Sequence, residues 1–240
     1  SSKESRNFAF PFYVPDGEML VDVPRGMVRP EADQMPSACK NWLTAGRWVD
    51  VSNKKLGVTW VTLDAPLIQV GELSARLLNS QTNPDVWRKE IKPSQRLYSW
   101  AMNNHWGTNY RAYQEGPTVF RFILRPHRKP DPAEATRFAT GFSQPLVVCS
   151  GGPKAPATPL VQVTPDDVVV TALKPSDDGK ALIVRLFNAS AFAQTAKLKW
   201  GSRSPTAVFL SDTSGLPLNA APGKIQIPAS GLVTVRAELD

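Results

Sequence analysis

Asn103, Asn104, His105, Trp106, Asn109, Tyr110, Gln114 and Glu115 crowd into one short stretch of the segment Tyr98 to Leu124, which reads YSWAMNNHWGTNYRAYQEGPTVFRFIL. The ring faces of Trp and Tyr cover the C–H patches of a pyranose, while side-chain amides donate to and accept from its hydroxyls. This is therefore the composition of a sugar site. The same residues also have a purely structural reading. Asn and Gly close turns, Trp106 and Tyr110 fill a core, and the amides knit loops through side chain to backbone bonds. Composition leaves both readings open.

Other chemistries find less support. The only histidines, His105 and His127, stand in neither an H-x-D nor an H-x-x-x-H spacing, so no catalytic zinc is expected on this chain. Cys39 and Cys149 are far apart and neither belongs to a C-x-x-C pair; both are expected to be reduced and buried. No serine lies in a G-x-S-x-G elbow. Among the carboxylates, Asp64 sits in a turn it can cap by accepting backbone N–H bonds, or faces a substrate. Glu115 is placed to pair with Arg111 or Arg121, and Asp177 and Asp178 read as turn residues.

The elements that must position these groups are extended ones. Twenty-two Pro and 15 Gly separate β-branched and aromatic runs, and 42% hydrophobic residues in 240 suffice for a core, so the expected class is all-β. The net charge of +7 is spread along the chain, and Arg121, Arg125, His127, Arg128 and Lys129 form the only local basic cluster. No nucleic-acid partner is expected from that pattern. No apolar run approaches the length of a membrane span, so no membrane partner is expected either.

Phe8, Phe10 and Phe12 alternate at strand period, and Leu20, Val21 and Val23 suggest a second strand. Trp42 and Trp48 flank a turn and are either paired core aromatics or a sugar platform. A strand from Gly57 ends at the turn Asp64-Ala65-Pro66, and Ile68 to Val70, Arg96 to Met102 and Val119 to Arg125 are again strand-like. One short helix is expected near 132–142, with Asp131 as its N-cap, Pro132 at the first position, Glu134 in a capping box and Gly141 at the stop. Gly- and Pro-rich residues 151–163 read as a linker between a larger region, 1–150, and a smaller sandwich, 164–240. The smaller part offers seven strand candidates from Val168 to Leu239, the first two joined by an Asp178-Gly179 hairpin turn. Asn188-Ala189-Ser190 fits a glycosylation sequon and is expected to form a turn instead.

Three stretches, in chain order GVTWVTLDAPLIQVGEL, MNNHWGTNYRAYQEGPTVFRF and ALKPSDDGKALIVRLFNAS, together resemble the C-terminal β-sandwich region of family 38 glycoside hydrolases, the zinc-dependent α-mannosidases, in the family's own order. The resemblance covers most of residues 57–190. It implies an antiparallel β-sandwich, part of a galactose-mutarotase-like supersandwich, followed by a smaller C-terminal β-sandwich. It also implies a non-catalytic C-terminal portion of a longer parent, with no cofactor of its own. The zinc and the catalytic carboxylate would then belong to an N-terminal catalytic domain of the same parent chain, which becomes the expected partner, with carbohydrate as a candidate ligand. On this reading no catalytic residue is assigned here. Asp64, Asn103, Asn104, Trp106, Asn109, Tyr110, Gln114 and Glu115 are the candidates for facing substrate or the catalytic domain, with a stand-alone carbohydrate-binding or purely structural module as the alternatives.

Overall fold

The computed structural model describes residues 4–24, 26–74, 87–104, 111, 113–148, 150–151, 158–201 and 203–239. It is mostly β, with one helix among these residues, and divides into two compact units, Ser1–Asp131 and Pro132–Asp240.

In the first unit the alternating apolar residues form β1 (Ser5–Pro11), β2 (Glu18–Val23), β3 (Gly26–Val28), β4 (Leu43–Thr44), β5 (Trp48–Ser52), β6 (Gly57–Thr62), β7 (Leu67–Val70), β8 (Arg96–Asn103) and β9 (Phe122–His127). They pair antiparallel into two sheets, ordered β1-β8-β7-β4 and β3-β2-β5-β6-β9. Period-two alternation puts Met19, Val21, Val49, Val51 and Trp60 of one sheet, and Ile68, Val70 and Leu97 of the other, into a common core with Phe10, Phe12 and Phe122. Each such side chain contributes about 1.5–3 kcal/mol on full burial. Trp60 stacks on Phe122 at 5.4 Å and meets the edge of Phe10 at 5.5 Å. Its indole Nε1 finds no acceptor among the described residues. Trp48, on the opposite face of β5, is fully buried, which rules it out as an exposed sugar platform.

The second unit opens with α1 (Pro132–Ser143), followed by β10 (Val161–Thr164), β11 (Val168–Pro175), β12 (Ala181–Asn188), β13 (Gln194–Trp200), β14 (Ala207–Ser211), β15 (Pro217–Ala220), β16 (Ile225–Ile227) and β17 (Leu232–Glu238). A five-stranded sheet, β11-β12-β17-β14-β15, and a three-stranded one, β10-β13-β16, enclose Val168, Val184, Leu186, Ala196, Ile225, Ile227 and Val235. The helix runs through Gly141 instead of stopping there, because Phe142 past it packs edge-on against Phe138 at 5.1 Å. Strand β10 falls partly within the residues read as linker, between Pro159 and Pro165. Among the described residues no helix is long and apolar enough to cross a membrane.

The β11–β12 hairpin shows how local chemistry sets a turn. Gly179 takes the left-handed φ of 72° that the turn requires. Ser176 Oγ donates to Asp178 Oδ1 at 2.5 Å and accepts from Ala181 N at 2.9 Å, while Lys180 N donates to Asp178 Oδ1 at 3.0 Å. Asp178 Oδ2 receives Arg236 Nη2 at 2.7 Å. The Ser176 hydroxyl, the Lys180 amide and the Arg236 guanidinium, in that order, hold the Asp178 carboxyl far below the usual range. Arg236, almost fully buried, also donates through Nε to Glu238 at 2.7 Å and through Nη1 to the Gly215 carbonyl at 3.3 Å.

Candidate functional site

Strand β8 carries Asn103 to its last position, half-buried and paired with Ser5 of β1; Asn104 follows, buried, its N–H bonded to Glu4 O at 3.2 Å. The chain returns at Arg121, beside β9, where Leu63 N donates to Arg121 O at 3.2 Å. Asp64 closes that return. Its Oδ2 accepts the Arg121 backbone N–H at 2.8 Å and Nε at 3.0 Å, and its Oδ1 accepts Nη2 at 2.8 Å. This fork is the geometry a guanidinium offers a carboxylate. Hydrogen bonds from the Arg121 side chain and backbone amide lower the Asp64 pKa, and the Asp64 carboxylate in turn raises that of Arg121.

The Asp64 turn itself is closed by Thr62, whose Oγ1 donates to Ala65 O at 2.9 Å and accepts Ala65 N at 3.1 Å. Both ends of the candidate loop are thus pinned to the first unit's sheets. Within it, Gln114 Nε2 donates to Thr118 Oγ1 at 3.3 Å, Gly116 supplies a φ of 90°, and Glu115 is exposed. Arg121 is committed to Asp64, and the Arg111 guanidinium lies 5.7 Å from the Tyr113 ring centre. Trp106, Asn109 and Tyr110, with His105, lie outside the described residues.

The structure assembles a second group of amides and aromatics that no sequence neighbourhood reveals. On the outward face of the β1-β8-β7-β4 sheet, Gln69 Nε2 donates to Asn7 Oδ1 at 2.9 Å and its Oε1 accepts Ser74 N at 2.7 Å. Asn41 Nδ2 donates to Ser74 O at 2.5 Å, and its Oδ1 accepts Arg88 N at 3.0 Å. Trp42 packs against Trp87 at 5.6 Å and edge-on against Trp100 at 5.8 Å, and Trp100 Nε1 donates to Ser5 Oγ at 3.1 Å. Gln69, Asn41 and Trp100 are all buried. These amides spend their bonds on a strand of the same sheet and on loops beside it, which favours the structural role of such a cluster over a sugar platform. Separations such as 62 positions between Asn7 and Gln69 explain why the sequence conceals it.

His127 is the one histidine among the described residues. Its Nε2 bonds Asp50 Oδ2 at 2.7 Å and its Nδ1 lies 3.0 Å from Lys129 O, while Thr59 Oγ1 donates to the same Asp50 oxygen at 2.8 Å. Both ring nitrogens are thus engaged by neighbours within the fold, Nε2 by the buried Asp50 carboxylate and Nδ1 beside the Lys129 carbonyl. Among the described residues no group of three or more His, Cys, Asp and Glu is placed to hold a metal ion, so these residues do not fit the zinc of the resembling family. Gly57 makes the ring's place available: a Cβ there would stand 2.5 Å from His127 Cε1. Cys39 is a free thiol and exposed, contrary to the expected burial, because its loop carries few apolar neighbours; Cys149 lies outside the described residues.

Asp22 is the carboxyl driven toward neutrality. Burial raises its pKa from 3.8 to about 6, against the opposing Arg47 amide and guanidinium. Gly46 seals it, since an added Cβ would meet Oδ2 at 2.6 Å. A folded-state pKa above the unfolded one means that the native state binds the extra proton. The stabilising contribution is complete below about pH 3.8 and is lost as pH rises through about 6. Asp22→Asn is therefore expected to stabilise the chain at pH 7.5 by about 1–2 kcal/mol and to flatten stability between pH 4 and 6. Urea midpoints across that range check it, and an unchanged pH profile would count against it.

Residues 167–232 match the family described as glycosyl hydrolases family 38 C-terminal beta sandwich domain. No curated protein matches the chain. Among solved structures, an α-mannosidase from Enterococcus faecalis V583 superposes on 97% of this chain with a TM-score of 0.67 at 17% identity, and a family 38 glycosyl hydrolase from Enterococcus faecalis does so with a TM-score of 0.67 at 16% identity. The chain spans 25% and 26% of those proteins' lengths.

Proposed function

On the premise that residues 167–232 form a glycosyl hydrolase family 38 C-terminal β-sandwich domain, we propose that this chain is the non-catalytic C-terminal portion of an α-mannosidase of that family. It scaffolds the catalytic barrel and walls its sugar cleft. The observation that carries this reading is the coverage: 97% of this chain corresponds to a quarter of an α-mannosidase.

In this proposal the segment from Asn103 to Glu115, with Asp64 bracing its return, is the part that faces the cleft. Asn103, Asn104, Asn109 and Gln114 would bond sugar hydroxyls, and Trp106 and Tyr110 would cover ring faces. Zinc is then bound by the catalytic domain of the parent. The internal bonding of Gln69 and Asn41 supports a purely structural module as the second reading, ahead of a stand-alone carbohydrate-binding one.

Hydrolysis of an aryl α-mannoside, with and without zinc, separates these readings. The chain alone is expected to be inactive and a longer parent active. Asp64→Ala in that parent is expected to lower kcat/KM by about tenfold, since a displaced positioning loop commonly costs that much or more. Full activity in the variant would remove the loop from the cleft wall. Activity in the isolated chain would overturn the proposal.

A further inference from the structure

Leu146, Val147 and Val148 are 96%, 91% and 94% exposed, three large apolar side chains in succession. Other strongly exposed hydrophobics, such as Tyr13, Met35 and Phe192, stand singly, which is ordinary for a protein surface. A consecutive apolar run left in water is not. The segment leaves α1 behind Gln144, whose N–H closes the last turn on Thr140 O at 2.8 Å, and then joins no strand ladder.

Its composition is that of a buried strand. In an extended chain Leu146 and Val148 point to one face and Val147 to the other, so both faces are apolar. Strands that are apolar on both faces are covered on both. Pro145 lacks an N–H and suits the first position of a strand, while Ser143 and Gln144 before it and Ser150 and Gly151 after it limit the run to a single short element.

A second copy of this chain is a poor occupant. Two such segments paired edge to edge would satisfy their backbones and still leave both faces bare. What the segment needs is an open sheet edge inside an apolar crevice, with layers above and below. The solved proteins that match 97% of this chain contain about three times as much chain again beyond the matched quarter. The geometry points to residues 145–148 as a docking strand that completes a sheet of the remaining family 38 chain, a mode in which main-chain bonds give affinity and alternate side chains give specificity. This inference rests on the proposed function and names the surface through which that role is exercised.

Amide hydrogen exchange tests it. In the 240-residue chain the amides of Leu146 to Val148 are expected to exchange at nearly unprotected rates. In the longer parent they are expected to slow by about a hundredfold or more, as ladder amides do. Val147→Asp should abolish that slowing and lower the parent's melting temperature, while leaving the melting temperature of the 240-residue chain unchanged, because the side chain touches little there. Val147→Ile should behave as the parent does. Unprotected amides in the parent would overturn the inference, and so would protection in the 240-residue chain that grows with its concentration, which would identify a second copy as the occupant. The exchange readout does not depend on turnover, so an inactive parent with protected amides would defeat the α-mannosidase reading and leave the docking strand standing.

Discussion

Asn188→Asp is expected to unfold the C-terminal sandwich at neutral pH and to recover part of its stability on acidification. Asn188 ends β12 with no exposed surface, and its Nδ2 donates to three carbonyls, Phe192 O at 2.8 Å, Pro228 O at 2.9 Å and Ile227 O at 3.1 Å. An amide has two N–H bonds for those three acceptors, so one is shared. Its Oδ1 accepts Ser190 N at 3.0 Å, which leaves the side chain fully spent. A carboxylate of the same shape would aim negative charge at three carbonyl oxygens without a proton to offer.

The expected cost is about 4 kcal/mol or more at pH 7.5, a large share of the roughly 5–15 kcal/mol that holds a domain folded. The introduced carboxyl would bind a proton more tightly in the folded state than in the unfolded one. Stability would therefore rise as pH falls through the folded-state pKa, which the parent side chain cannot do. Asn188→Ala, with the donors simply removed, should cost about 2–4 kcal/mol at every pH. Denaturant unfolding followed by circular dichroism at pH 5 and 7.5 distinguishes the two, and a variant as stable as the parent would mean that this amide does not hold the turn. The same bonding answers the sequon: in the folded chain the Asn188 nitrogen is not presented for glycosylation.

His127→Ala is expected to destabilise the first unit by about 1–3 kcal/mol, the usual consequence of leaving a buried hydrogen-bonding group without its partner. Asp50 is 5% exposed, and without the imidazole its carboxylate keeps only the Thr59 hydroxyl among the bonds described above. If the loss comes from that stranded charge, Asp50→Asn in the His127→Ala background should recover about half of it, and the double-mutant cycle should show a coupling well above 1 kcal/mol. Additive losses would place the cost in packing alone. Gly57→Ala approaches the same ring from the other side, since the new Cβ must displace it.

The contrast between these sites and the rest of the fold indicates what a sequence can convey. Elements whose physics is local were legible. Alternation marked β6 and β12, the pair Asp178-Gly179 marked the hairpin between β11 and β12, and Asp131-Pro132 marked the start of α1. Strand β10 was not, because four residues between two prolines show too little period to read. Gly141 misled for a related reason. Its helical penalty of about 1 kcal/mol is a weak signal, and the Phe138–Phe142 contact within the helix spans it. The pairing of Asp50 with His127 spans 77 positions, and the Trp42, Trp87 and Trp100 cluster joins three separate segments, so neither leaves a local pattern. Asp64 stood out in its turn from the start, yet its partner Arg121, 57 positions on, emerged only from the fold.

Arg236 bears on how the second unit moves. One guanidinium holds the Asp178 turn, the end of its own strand β17 and the Gly215 turn, segments that would otherwise fray independently at a sheet's margin. For the hairpin to open, Asp178 must let go of a buried cation, and that cation would then be left facing Glu238 and the Gly215 carbonyl with its geometry incomplete. Release of any one contact therefore weakens the other two. The breathing of this margin becomes a single cooperative event in place of three small ones, rarer than any of them would be alone.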